Sequence, residues 1–187
     1  MRRKALICAL YALSLVTAGW LLAPAGAEAA PGKGKGNNGP ETVSVELTAD
    51  NEVPIAISNA SGELVLTIDP AGTSIGYELT YEGLEGNVTQ AHIHIGQKNV
   101  AGGIVLWLCQ TTTPFVAPAT VPAAPTCPSS GTVTGTLTNA NIVPNVQAVN
   151  TDSLADVIDA IRRGKAYGNV HTTVSAGGEI RGQLHGH

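Results

Sequence analysis

The sequence predicts an all-β fold: an antiparallel, Greek-key-like sandwich or flattened barrel of about eight short strands with one short helix. Three observations lead there. Composition is the first: 22 Gly and 11 Pro stand beside abundant Thr and Val, while charged residues are only 13%, against about 25% in an ordinary soluble domain. Such a mixture suits strands joined by tight turns better than helices rich in Leu, Glu and Lys. The second is a period-2 alternation of apolar and polar residues in segment after segment. The third is turn chemistry between those segments.

The first 41 residues are read as lying outside that fold. Met1 to Lys4 is basic, Ala5 to Leu22 is apolar, and Ala23 to Ala29 is small and cleavable in the A-x-A manner. That order predicts a secretory signal peptide over 1–29. A permanent anchor is the rival, since the apolar run is near the length that spans a bilayer. The small residues and the polar stretch after it favour cleavage, and hence a secreted or periplasmic protein with no stable membrane anchor. Residues 30–41, including PGKGKGNNGP, read as a flexible leader. Loss of Arg2, Arg3, Lys4 and Glu28 would take the net charge from −4 to −6. The one remaining basic group, Arg162, Arg163 and Lys165, suits the dipole at a helix end. A nucleic-acid partner is therefore not expected.

The folded domain is expected over 42–184, with 185–187 as a C-terminal tail. Val43, Val45 and Leu47 alternate with Ser44, Glu46 and Thr48. Leu64, Leu66 and Ile68 precede the turn Asp69-Pro70-Ala71-Gly72, and Ile75, Tyr77, Leu79 and Tyr81 follow it, which is a hairpin pattern. Further strands are expected at 88–95, 104–108, 131–137, 166–174 and 179–184, the last two joined by Ser175-Ala176-Gly177-Gly178. Leu154, Val157, Ile158 and Ile161 have helical spacing instead. Ser153 is the expected N-cap of that helix and Gly164 its terminator.

Cys8 lies in the leader, so Cys109 and Cys127 are left as a pair. In an oxidising compartment their simplest reading is a disulfide pinning the Pro/Ala/Thr-rich segment between them. By loop closure this stabilises the fold by roughly 3 kcal/mol. A thiolate metal site or a reactive thiol would need more ligands nearby, or a C-x-x-C spacing.

Several segments carry a resemblance. Leu47-Thr48-Ala49-Asp50-Asn51-Glu52-Val53-Pro54, Ala91-His92-Ile93-His94, Tyr167-Gly168-Asn169-Val170-His171-Thr172 and Gly177-Gly178-Glu179-Ile180-Arg181-Gly182-Gln183-Leu184 resemble the corresponding segments of the CHRD (chordin-type) domain family. The likeness runs from about 42 to 184. It departs after A-H-I-H, where Ile95-Gly96-Gln97 stands in place of the family's frequent Gly-Pro, and in the cysteine-bearing loop. It implies an exported domain of the stand-alone bacterial type. Nothing here resembles the cysteine-rich modules of chordin, so growth-factor antagonism is not implied.

Histidines carry the remaining chemical signal. On a strand His92 and His94 share one face, about 6.5–7 Å apart. In the closing hairpin Tyr167, Asn169 and His171 share a face, as do Glu179, Arg181 and Gln183. With Glu52, these could form one polar strip. One reading is a copper or zinc site made by His92, His94 and His171 with open coordination positions. The H-x-H strand is similar to that of copper–zinc superoxide dismutases, although their fuller ligand set and acidic loop have no counterpart here. The other reading is a self-satisfied polar network in which His171 pairs with Glu179, and Arg181 forks onto Glu52 or Glu179. Imidazole nitrogens within about 4–5 Å of one another support the first; separations beyond about 8 Å support the second. His185-Gly186-His187 reads as a solvated tail or a weak metal binder.

No G-x-S-x-G elbow, P-loop, H-E-x-x-H or dinucleotide fingerprint occurs. The sequence therefore points to an exported, non-enzymatic binding or structural module whose partner is an unknown protein or small ligand. The alternative is a copper- or zinc-binding protein, with superoxide-dismutase-like redox activity as its furthest extension.

Overall fold

The computed structural model describes residues 39–111, 116–150 and 152–186. The expected signal peptide and most of the leader lie outside the described residues. Eight strands form: β1 (Glu41–Thr48), β2 (Ser61–Ile68), β3 (Ile75–Glu82), β4 (Val88–Ile95), β5 (Gly103–Gln110), β6 (Gly131–Leu137), β7 (Ala166–Thr172) and β8 (Ile180–Leu184), with helix α1 (Leu154–Arg162) between β6 and β7. All eight expected strands and the helix are present.

The strands make one sheet in the order β5-β4-β7-β8-β1-β2-β3-β6, antiparallel at every pairing. The sheet curls into a nearly closed barrel whose two end strands, β5 and β6, do not share a ladder. Alternation explains what fills it. Val43, Leu47, Leu64, Leu66, Leu79 and Ile93 are fully buried in one core, while Ser44, Glu46 and Thr134 on the opposite faces of their strands are exposed.

Side chains close the seam between β5 and β6. Tyr77 of β3 lies opposite Gly135 of β6 and donates its hydroxyl to Leu108 O of β5 at 2.6 Å. A Cβ on Gly135 would collide with the Tyr77 ring, so a side chain there would obstruct this reach. Burial pushes the Tyr77 phenol up to about 12. Beside the seam, Cys109 and Cys127 form the expected disulfide, Cα atoms 5.0 Å apart. Gln110 N donates to Pro125 O and Cys127 N to Gln110 O alongside it.

α1 buries Leu154, Val157, Ile158 and Ile161, the four residues at helical spacing. Its ends differ in how they match expectation. Gly164 terminates the helix at φ +67°, with Gly164 N on Ile161 O and Lys165 N on Ala160 O, the paired bonds of a Schellman ending. Ser153 does not cap with its side chain. Its Oγ accepts from Asn150 N, and Asn139 Oδ1 takes the free Leu154 N–H from 15 residues upstream.

The closing hairpin is shorter than alternation suggested. β7 stops at Thr172 and β8 starts at Ile180, because Thr172 N turns back onto Ser175 O and Gly178 takes φ +127°, a conformation open to glycine. Two single-turn 3-10 segments, Ala49–Asn51 and Asn139–Asn141, were also not foreseen.

Candidate metal centre

β4 and β7 lie side by side, next to the end strand β5, and their register assembles the site. His92 pairs with Asn169, His94 with Tyr167 and Gln90 with His171. β8 then sets Gln183 against Tyr167 and Arg181 against Asn169. One face of these strands sends Ala91, Ile93, Val170 and Ile180 into the apolar core. The other carries the polar residues, yet all seven residues of β7 are buried. The 96–102 loop and the segment carrying Glu52 cover that polar face.

His92, His94 and His171 are 0%, 6% and 6% exposed, and one nitrogen from each lies within 4.8 Å of the others. This falls within the separation of about 4–5 Å that supports a metal site. Two rings are held by the backbone: His94 Nδ1 lies 3.0 Å from Gly102 O and His171 Nδ1 3.0 Å from Ala176 O. A carbonyl can only accept, so each Nδ1 carries the proton and each Nε2 presents a bare lone pair. His92 Nδ1 is 3.3 Å from His171 Nε2 and must donate to it. That leaves His92 Nε2 bare, and neither it nor His94 Nε2 has a hydrogen-bond partner in its buried setting.

Burial keeps all three rings neutral. It pushes His92 well below its ordinary value, with the neighbouring His171 and His94 adding to the effect. It lowers His94 to about 4, against the Gly102 carbonyl bond that favours the charged ring. It also lowers His171, opposed by the Ala176 carbonyl. Neutral imidazoles with inward lone pairs are the form that metals take.

The other polar residues frame this cluster. Tyr167 is stacked by His94 at 4.6 Å and 5°, and the Arg181 guanidinium carbon lies 3.4 Å from the same ring's centre. Tyr167 Oη accepts from Gly102 N. Arg181 Nη2 donates to Val100 O and Gln97 O, and Gln183 Nε2 donates to Gly96 O, Gly164 O and Ala166 O. The bonds to Gly96, Gln97, Val100 and Gly102 fasten the covering loop, while those to Gly164 O and Ala166 O hold Gln183 to the start of β7. Burial raises the Glu52 carboxyl, while Val53 N, the Asn169 amide and the charge of Arg181 pull it back.

Two expected pairings do not form. Among the described residues the ion pairs are Arg162–Glu41 and Arg163–Asp159, so Arg181 forks onto neither Glu52 nor Glu179. Glu179 also leaves the strip. It sits in the turn before β8, and its carboxylate accepts from Ser58 Oγ, Glu85 N and Thr172 Oγ1, not from His171. Thr172 alternates away from His171, so this carboxylate serves the other side of the sheet. His185 is exposed and stands outside the cluster.

Four contributors escaped sequence reasoning: the carbonyls of Gly102 and Ala176, the indole of Trp107 packed perpendicular to His92 at 4.3 Å, and Gly178. Carbonyl acceptors leave no trace in residue identity. The Gly177-Gly178 pair was legible as a turn, but not as space for Glu52.

No curated protein and no solved structure matches this chain. A family model described as the CHRD domain matches residues 43–184, a span that contains every strand but the first two residues of β1, together with the whole histidine cluster. The barrel, the disulfide and the A-H-I-H and Y-G-N-V-H-T segments on adjacent strands thus come together in one assignment: the chain belongs to the CHRD-domain family.

Proposed function

We propose that this CHRD domain is an exported metal-binding module that holds a divalent copper or zinc ion through His92, His94 and His171. The observation that carries this reading is the convergence of three neutral imidazoles within 4.8 Å, two of them oriented by backbone carbonyls. Orientation of a ligating imidazole through its second nitrogen is the usual outer-shell device of metal sites. A network built only to satisfy itself would not leave His92 Nε2 and His94 Nε2 buried and unpartnered, since such groups cost about 1–3 kcal/mol each. Export is supported by the leader pattern in the sequence and by the disulfide. Among the described residues no helix is long and apolar enough to cross a membrane.

Isothermal titration of the metal-free protein with Cu²⁺ and Zn²⁺ tests the reading. The wild type is expected to bind one equivalent, and the His92→Ala/His94→Ala variant to lose that binding. Equal affinities would remove the idea and leave a binding or structural module whose polar face serves only the fold.

A further inference from the structure

Resting on that three-histidine reading, we propose that Asn169 Oδ1 is the fourth donor of the site, closing an N₃O tetrahedron around a divalent ion. We further assign Glu52 as the outer group that holds this oxygen in place. Two ligands at about 2.0–2.1 Å from one tetrahedral ion stand about 3.3 Å apart. His92 Nδ1 and His171 Nε2 are 3.3 Å apart, and His171 Nε2 and Asn169 Oδ1 are 3.1 Å apart. Both are the edge lengths of such a tetrahedron. The first pair can hold an ion once the His92 proton passes from Nδ1, where it bridges to His171 in the metal-free protein, to the unpartnered Nε2.

Protons explain why an ion belongs there. His171 has its proton on Nδ1, given to Ala176 O, so its Nε2 and the amide oxygen of Asn169 face each other as two lone-pair carriers. That approach is repulsive unless a cation lies between them. Turning the amide over would bring its oxygen toward the Glu52 carboxylate, because Asn169 Nδ2 and Glu52 Oε1 both lie against Gly178 and the amide in its present orientation favours the charged carboxylate. Asn169 also faces His94 closely enough to favour a positive charge on that ring, which places the oxygen among the imidazoles.

Glu52 is buried, with Oε1 unpartnered. Its negative charge behind the amide is expensive in an empty cavity, and useful beside a dication. Gly178 makes the arrangement possible, because a Cβ there would run into both Glu52 and the Asn169 amide. Three nitrogens and one oxygen, with no sulfur, suit Zn²⁺ or Cu²⁺ better than Cu⁺. With the fourth corner taken by protein, the ion is structural, and no position is left for a reactive water of the kind catalytic sites keep.

The test uses the full chain, stripped of metal and titrated with Zn²⁺, and with Co²⁺ as a visible-absorbing stand-in. Wild type is expected to give the intense visible bands of four-coordinate Co²⁺. Asn169→Ala should weaken Zn²⁺ binding by about 10–100-fold and dim those bands as water enters the fourth position. Asn169→Asp, which keeps an oxygen there, should retain binding and bands. Glu52→Gln should weaken binding by about tenfold with the bands intact. Wild-type affinity and spectrum in Asn169→Ala would overturn the fourth donor while leaving the three-histidine site standing. Should Asn169→Ala fail to fold, a folded Asn169→Asp that binds no metal overturns it equally. Wild type binding no better than His92→Ala/His94→Ala would remove the underlying reading itself.

Discussion

At the scale of single residues, the polar groups of this domain divide into two sets. His92, His94, His171, Asn169 and Glu52 face one another, whereas Glu179 serves construction alone. Glu179 is fully buried and gathers Ser58, Glu85 and Thr172 onto one carboxylate. Removing it in Glu179→Ala strands three donors, each worth about 1–3 kcal/mol when left unsatisfied. Denaturant unfolding should show a loss of about 3 kcal/mol or more, with Zn²⁺ affinity of the folded fraction unchanged. A loss below about 0.5 kcal/mol would mean that those donors find water instead. The triad was legible in the sequence because alternation fixes which residues share a face. Glu179 was misplaced by the same rule, because the rule holds only inside a strand and Gly178 turns the backbone just before it. Capping of α1 shows a similar limit: Asn139 is distant in sequence, while Ser153 had the right identity and position but bonds elsewhere.

At the scale of elements, the pairing of β4 with β7 turns three separate histidines into one neutral cluster, with a consequence for pH. An imidazole with its folded value depressed binds fewer protons folded than unfolded, so the unfolded chain gains protons first as pH falls. Stability contributed by the neutral rings is therefore full above the ordinary value of 6.5, and is lost as pH drops toward about 4. For His94 alone the loss is on the order of 3 kcal/mol. Thermal melts of the metal-free protein between pH 7.5 and 4 should show a steadily falling Tm, and a flat profile would contradict buried neutral rings. With Zn²⁺ present, Tm at pH 7.5 should rise, and the rise should persist to pH 5 and fade only toward about 4, where protons reach the His94 ring. Strand boundaries and hairpins were readable because turns and alternation are local. The order β5-β4-β7-β8 was not, since no local pattern records which strands become neighbours across a long connection.

At the scale of the whole molecule, the barrel remains stapled where its ladder is open. Tyr77 bridges β3 to β5 over Gly135, and the Cys109–Cys127 bond ties the end of β5 to the segment leading into β6. Reducing that disulfide should lower stability by roughly 3 kcal/mol through loop-closure entropy. The far-ultraviolet dichroism should keep its strand character, since the strand ladders pair by backbone hydrogen bonds and do not run through the bond. Unchanged unfolding midpoints with and without reductant would show that hydrogen bonding around Gln110 is sufficient by itself.

Trp107 is the only tryptophan among the described residues, and its indole lies 4.3 Å from the His92 ring, with 9% of its surface exposed. The protein thereby carries its own optical gauge. A paramagnetic Cu²⁺ settling among the imidazoles should extinguish most of this emission, Zn²⁺ should shift it without extinguishing it, and Trp107→Phe should abolish both signals. Occupancy of the cluster can then be followed in dilute solution by light alone, with no chemical label attached.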